Sequence, residues 1–185
     1  GQNTHLRWPQ ASLTKLMLAA VVADKIEGGE LKLSDPVTAS KNAQGMGGTQ
    51  VFLMAGETFT LDELMTAAMV ESANDAAYAV AEHVAGSADA FVALMNRKAR
   101  ALGMADTEFH CVHGLPPSPG GFENLTTCDD MIRLAREALQ HSQILSWTSI
   151  EQTTFRNGTL VITNKNKLVG RVPGVDGLKT GYTRR

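Results

Sequence analysis

The residues best suited to chemistry in this chain are a serine and a lysine three positions apart, Ser12 and Lys15. On a helix, side chains with this spacing lie on the same face, so a possible nucleophile stands beside a possible base. A serine hydroxyl becomes a good nucleophile only when a base takes its proton. A lysine can be that base if burial or a neighbouring cation, here Lys179, favours its neutral form.

Two further motifs supply the other polar groups of a known type of acyl-transfer site. Ser72 and Asn74 form a Ser-x-Asn motif, and residues 179–181 read Lys-Thr-Gly. Each motif is short enough to arise by chance, and Ser40–Asn42 is a second Ser-x-Asn that we interpret as a surface turn. Three motifs in the right order and local context are a strong signal of acyl transfer.

The chemistry of each side chain suggests its role. Ser72 could relay a proton between the lysines and a leaving amine, and Asn74 could hold the substrate amide. Plain helix capping is the alternative for both residues. Lys179 and Thr180 could bind a terminal carboxylate through a charge and a hydroxyl, and Gly181 would let the backbone approach the substrate closely.

Helical periodicity and end signals place the first two motifs. Apolar residues recur at helical spacing over Ala11–Glu27, which puts Ser12 in a first turn, where free N–H groups favour developing negative charge. The capping box Thr60–Glu63 precedes a helix over Leu61–Met69 that should be central and buried, because it is apolar on most sides. We also expect helices over Asp75–Ala85, Ala88–Leu102 and Thr126 to about Gln140, and strands over Pro36–Ala39, Gln50–Leu53, Glu151–Phe155, Thr159–Thr163 and Val175–Thr183. Arg156–Gly158 contains an Asn-Gly pair, which predicts a hairpin turn between the strands on either side.

The motifs and their neighbours resemble those of the low-molecular-weight penicillin-binding proteins, the serine D-Ala-D-Ala carboxypeptidases. The resemblance runs along nearly the whole chain and is carried by Pro9–Met17, Glu71–Ala77, His113–Leu115 and Gly174–Thr183. It implies the β-lactamase/transpeptidase-like fold of the α+β class, in which a helical lobe lies beside an antiparallel sheet. It also implies that the backbone N–H groups of Ser12 and Tyr182 form an oxyanion hole.

The same resemblance implies that the substrate is a peptidoglycan stem peptide ending in D-Ala-D-Ala. Ser12 would attack the penultimate carbonyl, D-Ala would leave, and water would hydrolyse the acyl-enzyme without a metal or organic cofactor. β-Lactam antibiotics would be covalent inhibitors. The protein would work in the periplasm or another extracytoplasmic compartment, with membrane attachment only through segments outside this chain.

The chain departs from the family pattern at its two ends. Only 11 residues precede Ser12 and 4 follow Gly181, whereas the family's sheet uses strands on both sides of these motifs. We therefore expect the 185 residues to be a single catalytic domain that is incomplete at both ends. The segment Lys179–Thr183 should then be poorly supported, or paired with another copy of the chain or with a segment outside these 185 residues.

Composition excludes some function classes. A net charge of −2 without a run of Lys or Arg argues against nucleic-acid binding, and 43% hydrophobic residues can bury a real core. The apolar stretches are too short to cross a membrane. Cys111 and Cys128 are either free thiols or a disulfide, and they form no convincing zinc pattern with His110 and His113. We expect His113 to have a structural role, hydrogen-bonded within its loop.

Two other functions share the motifs. A β-lactamase would need a deacylating base, commonly in a Glu-x-x-Leu-Asn string that this sequence lacks. A non-hydrolytic β-lactam sensor or a peptidoglycan-binding domain is the second alternative. Sensors are acylated too, so turnover of a D-Ala-D-Ala peptide separates the alternatives.

Overall fold

Helices make up most of the regular secondary structure in the computed structural model, which describes residues 1–183. The helices are α1 (Thr14–Glu27), α2 (Lys41–Gln44), α3 (Leu61–Val70), α4 (Asn74–Ala85), α5 (Ala88–Ala101), α6 (Cys128–Ala138) and α7 (Ser142–Thr148). The strands are β1 (Trp8–Pro9), β2 (Pro36–Thr38), β3 (Thr58–Thr60), β4 (Leu125–Thr126), β5 (Gln152–Phe155) and β6 (Leu160–Thr163). Over the described residues they form three antiparallel pairs, β1 with β4, β2 with β3 and β5 with β6. The expected α+β class is confirmed.

The core forms around α1 and α3. Every residue of α1 from Thr14 to Ala23 is buried, as are seven of the ten residues of α3. The capping box of α3 is confirmed: the Thr60 hydroxyl accepts the Glu63 N–H at 3.2 Å, and the Glu63 carboxylate accepts the Thr60 N–H at 2.8 Å. The prediction of a central, buried helix is also confirmed. Because α3 ends at Val70 and α4 begins at Asn74, Ser72 sits in a short connection between two packed helices.

The expected hairpin near the end of the chain is present. Gln152 pairs with Thr163 and Phe155 with Leu160, and the turn residues Arg156–Gly158 all have positive φ. A tight turn between antiparallel strands requires such angles, which explains the Asn-Gly pair at its tip. Beyond this hairpin, the chain returns past α7 to bring the Lys-Thr-Gly segment to the cavity described below.

The expected strand over Gln50–Leu53 is wrong. The N–H groups of Val51 and Leu53 donate to the buried carboxylate of Asp75, at 3.1 and 3.0 Å, instead of to a neighbouring strand. A carboxylate that accepts two backbone N–H groups replaces the ladder that a strand would need. The expected cap of α4 by Ser72 or Asn74 is also wrong, since Ala73 holds that position without a side-chain bond.

The expected strand over Val175–Thr183 is wrong too, since this segment pairs with no strand in the described part of the chain. Side chains hold it instead: Thr148 donates its hydroxyl to the Asp176 carbonyl at 3.0 Å, and Asn166 donates to the Gly177 carbonyl at 2.8 Å. Strand geometry persists only when backbone groups find a ladder partner. That the 185 residues form one catalytic domain, incomplete at both ends, stays a prediction.

Two short helices were missed by sequence reasoning, α2 and α7. Ser40 caps α2 by accepting the Ala43 N–H at 3.0 Å, so the Ser-x-Asn pattern there is a helix start. Helices of one or two turns owe their stability to packing more than to propensity. None of the helices within residues 1–183 combines the length and apolar character that crossing a membrane requires. Cys111 and Cys128 are free thiols.

Candidate active site

The predicted nucleophile stands at the wall of an open cavity. Ser12 lies in a 3-10 turn, Ala11–Leu13, that leads directly into α1. The cavity has a volume of about 390 Å³ and is lined by Ser12, Thr49, Ser72, Lys165, Lys179, Thr180, Gly181 and Tyr182. Of the eight site residues predicted from the motifs, all but Lys15 and Asn74 therefore line this one cavity.

Lys15 lies behind Ser12 and is completely buried. Its Nζ atom is 3.3 Å from Ser12 Oγ, 2.6 Å from Asn74 Oδ1 and 3.0 Å from the carbonyl oxygen of His113. Burial, and then the positive charge of Lys179, lower the pKa of Lys15 well below its usual value. A buried ammonium is costly because no water solvates it, so the neutral amine is favoured.

The three contacts of Lys15 match the hydrogen-bonding capacity of a neutral amine. Asn74 Oδ1 and the His113 carbonyl can only accept, so they take its two N–H groups. The nitrogen lone pair is then left for the third neighbour, the hydroxyl of Ser12. The geometry thus places an amine that can accept a proton beside the Ser12 hydroxyl, and the roles of nucleophile and base stay predictions.

Ser72 is the most strained of the motif residues. Its φ is +69°, which is unusual for a residue with a side chain. The residue is 6% exposed, and its Oγ has no hydrogen-bond partner among residues 1–183. A strained backbone that holds a buried, unpartnered hydroxyl at a cavity wall is typical of functional sites, because neither feature improves stability.

Asn74 supports Lys15 in this structure. The residue is 2% exposed, and its side-chain amide makes two hydrogen bonds within the protein. Its Oδ1 accepts from Lys15, and its Nδ2 donates to the Gly47 carbonyl at 2.8 Å. It was expected to hold the substrate amide, but the structure places it behind the cavity wall. Its fixed amide orientation is what directs one N–H of Lys15 away from Ser12.

The Lys-Thr-Gly segment crosses next to the 3-10 turn Ala11–Leu13, which carries Ser12 and is called the nucleophile turn below. A methyl group added at Gly181 would lie 2.8 Å from the Gln10 carbonyl oxygen and 3.1 Å from the Leu13 nitrogen, so only glycine allows this approach. Lys179 is 9% exposed. Burial lowers its pKa to about 8, and the charge of Lys165 acts in the same direction. Tyr182 is largely exposed and also lines the cavity.

The loop that carries His113 closes the site from another side. His113 Nδ1 accepts the Leu115 N–H at 3.1 Å, which confirms the expected hydrogen bond within the loop. Burial lowers the pKa of His113 to about 4, so its ring is neutral near pH 7. Gly114 lies against the nucleophile turn, since an added methyl group would be 1.9 Å from the Ala11 carbonyl oxygen. This loop therefore helps to position Ser12 and Lys15.

Sequence reasoning missed two residues of the cavity, Thr49 and Lys165. Lys165 follows the hairpin, pairs with the Glu71 carboxylate, and donates its backbone N–H to Val70 at 3.1 Å. Neither residue belongs to a motif. The available signal was Glu71, an acidic residue directly before Ser72 that needs a cationic partner once it is partly buried.

Comparison with known proteins gives one consistent result. A family model described as D-alanyl-D-alanine carboxypeptidase (peptidase S11) matches residues 1–185. The D-alanyl-D-alanine carboxypeptidase DacF of Bacillus subtilis is 36% identical over 185 residues, which cover 98% of this chain and 46% of the relative. The D-alanyl-D-alanine carboxypeptidase DacC of Escherichia coli is 37% identical over 188 residues, which cover 98% of this chain and 46% of the relative. The chain therefore spans about half the length of these curated relatives.

Solved structures agree with that result. Penicillin binding protein 6B of Escherichia coli has a TM-score of 0.88 at 33% identity, covering 98% of this chain and 58% of that one. Penicillin-binding protein D2 of Listeria monocytogenes, in its ampicillin-bound form, has a TM-score of 0.85 at 31% identity, covering 99% of this chain and 72% of that one. The expected fold is thereby confirmed.

Proposed function

The chain belongs to the D-alanyl-D-alanine carboxypeptidase family, and we propose that it carries the active site of a serine DD-peptidase that removes the terminal D-Ala from peptidoglycan stem peptides. One observation supports this most strongly. Ser12 Oγ lies 3.3 Å from the amine of a fully buried lysine, at a cavity that Lys179 and Thr180 also line. A nucleophile, a base and a carboxylate-binding cation thus surround one space.

Acylation begins with the Ser12 hydroxyl. Lys15 takes its proton as Oγ attacks the carbonyl carbon of the penultimate D-Ala. The resulting oxyanion accepts hydrogen bonds from the backbone N–H groups of Ser12 and Tyr182. Lys179, charged below pH 8, and Thr180 bind the terminal carboxylate of the peptide and so align its last bond with Ser12.

Cleavage of that bond requires a proton for the leaving amine. Ser72 passes the proton from Lys15 to the nitrogen of the last D-Ala, which departs as the free amino acid. Water then attacks the Ser12 ester with Lys15 as base, which releases the shortened peptide and restores the hydroxyl. Asn74 keeps Lys15 oriented through both half-reactions.

β-Lactams follow the same acylation steps, because they present an acyl group and a carboxylate to the same residues. A structural relative is known with ampicillin bound, which supports covalent inhibition here. The relatives with the carboxypeptidase name disfavour the β-lactamase alternative. Because the substrate is cell-wall peptide, the protein works in the periplasm or another extracytoplasmic compartment.

Intact-mass spectrometry of the full-length protein after incubation with penicillin tests the proposal. We expect one drug adduct per chain in the parent protein and none in Ser12→Ala. Ser40→Ala is a matched control, since Ser40 belongs to the second Ser-x-Asn pattern and lies outside the cavity. An adduct that persists in Ser12→Ala, or failure to release D-Ala from a D-Ala-D-Ala peptide, would contradict the proposal.

A further inference from the structure

A cluster of charged side chains lies near the far end of α1 from the nucleophile. Asp24 is in the last two turns of α1, Glu137 is near the end of α6, and His141 directly precedes α7. One ligand atom from each of these residues can be chosen so that all three lie within 4.8 Å of one another. The cluster thus lies where three helices meet.

His141 is the unusual member of the cluster. Its side chain is 7% exposed, and its Nδ1 atom lies 2.8 Å from a carboxylate oxygen of Glu27. A carboxylate only accepts, so Nδ1 carries a hydrogen, which leaves Nε2 as the ring nitrogen that can bind a metal ion. That Nε2 atom has no hydrogen-bond partner among residues 1–183.

The Nε2 atom faces two carboxylate oxygens. It lies 3.6 Å from an oxygen of Asp24 and 3.5 Å from an oxygen of Glu137. Two carboxylates this close to a nitrogen ligand attract positive charge. A cation at the centre of the three atoms would contact all of them at once.

We propose that Asp24, Glu137 and His141 bind a divalent transition metal of the zinc class. Bonds of about 2.0–2.2 Å at tetrahedral angles separate neighbouring ligand atoms by roughly 3.3–3.6 Å, which the two nitrogen–oxygen distances of 3.5 and 3.6 Å match. Glu27 completes the pattern, because a ligating histidine commonly gives its other N–H to a carboxylate. Water would fill the fourth position.

Lys98 is the competitor for this site. Its ammonium lies 2.7 Å from an oxygen of Asp24 and 2.7 Å from an oxygen of Glu137. It brings one positive charge to a cluster of three carboxylates, whereas a metal ion brings two. The Asp24 oxygen near His141 is not the one that Lys98 uses, but the Glu137 oxygen near His141 is the same one. The flexible Lys98 side chain must therefore move aside and release this oxygen when a metal ion binds. Asp24 is 46% exposed, which opens a route for the ion from solvent.

The role of such a site is to stabilise the helical lobe. Ser12 and Asp24 are twelve residues apart, which is roughly 18 Å along a helix. The metal would not reach the reacting atoms, so it should raise thermal stability and leave acylation by penicillin unchanged. We expected no metal from the sequence, and the spacing of these ligands gives no signal there, since Asp24 is more than one hundred residues away from the Glu137–His141 pair.

Isothermal titration with Zn²⁺ of the full-length protein, freed of metal by a chelator, tests the proposal. We expect one tight site per chain and a rise in unfolding temperature with Zn²⁺ that Mg²⁺ does not reproduce. Asp24→Asn and His141→Ala should each weaken Zn²⁺ binding at least 100-fold. Glu27→Gln should weaken it about 10–100-fold, and Lys98→Ala should strengthen it because the competing ammonium is gone.

His83→Ala is the control, since His83 is exposed and outside the cluster. This variant should bind Zn²⁺ with the affinity of the parent protein. If His141→Ala fails to fold, the opposite effects of Asp24→Asn and Lys98→Ala on Zn²⁺ affinity still test the proposal. Absence of a Zn²⁺ site at micromolar concentration, or equal affinity in the parent protein and Asp24→Asn, would overturn the proposal. Either result would leave an ion-pair cluster around Lys98 in its place.

Discussion

Replacing Lys15 by methionine tests the proposed base most directly. Methionine keeps an unbranched side chain of similar length in a fully buried site, so the change removes the amine without opening a large cavity. Loss of a general base should slow acylation by penicillin by about two to four orders of magnitude. That corresponds to about 3–5 kcal/mol of activation free energy.

The same substitution should also lower the stability of the protein. The acceptors Asn74 Oδ1 and the His113 carbonyl lose their donor, which costs about 1–3 kcal/mol each. The protein no longer has to bury the amine of Lys15, which offsets part of this cost. We therefore expect a folded variant with a lowered unfolding temperature.

The pH dependence of acylation gives a second readout for Lys15. A base acts in its deprotonated form, so the rate should rise with pH through the lowered pKa of Lys15. Above about pH 8 the rate should fall, because Lys179 loses the proton with which it binds carboxylate. In Lys15→Met the rising limb should disappear and the falling limb should remain.

The assay is a mass-spectrometric time course of penicillin adduct formation at several pH values. Lys25→Met is the matched control, since Lys25 lies on the same helix and pairs with Glu30 at the surface. It should acylate at the parental rate. Near-normal acylation in a folded Lys15→Met protein, or an unchanged rising limb, would show that another group is the base.

Three other changes have defined outcomes. For a D-Ala-D-Ala peptide, kcat/KM should fall about tenfold per pH unit above pH 8 as Lys179 loses its proton, and a value that stays level to pH 10 in steady-state assays would argue against its role. Ser72→Gly should relieve the strain at φ +69° and raise the free energy of unfolding by about 1 kcal/mol in denaturant titration. The same variant should be acylated more slowly by penicillin. A change in stability alone, or in acylation rate alone, would show that the strain at Ser72 is not linked to catalysis. Gly181→Ala should slow acylation by about two orders of magnitude, because its methyl group meets the Gln10 carbonyl at 2.8 Å and displaces the nucleophile turn. Gly47→Ala, where the methyl group meets nothing within 4 Å, should react normally in the same mass assay.

The sequence alone predicted what depends on near neighbours in the chain. The capping box of Thr60 and Glu63 and the hairpin turn at Arg156–Gly158 both formed as expected. In each case the hydrogen bonds join residues a few positions apart, so the residue types at those positions are sufficient. The motif residues around Ser12 were identified for a related reason, since their spacing reflects one arrangement of chemical groups.

Only the tertiary structure decided which distant partner each polar group found. Val51 and Leu53 were expected to pair as a strand but bind the Asp75 carboxylate, more than twenty residues away. Asn74, which was predicted to hold the substrate amide, accepts a hydrogen bond from Lys15, 59 positions earlier. Local propensity is silent about such pairs, because packing of the helices determines which polar groups meet inside the core.

The same reason explains the residues that the sequence did not reveal. Lys165 reaches the cavity because the hairpin packs beside α3, and its carboxylate partner Glu71 is 94 positions earlier in the chain. His141 meets Asp24 because α1, α6 and α7 converge. Burial also sets the pKa of Lys15, and burial is a property of the packed molecule. The sequence thus determined which groups are available for chemistry, and the fold decided which of them meet and in which protonation state.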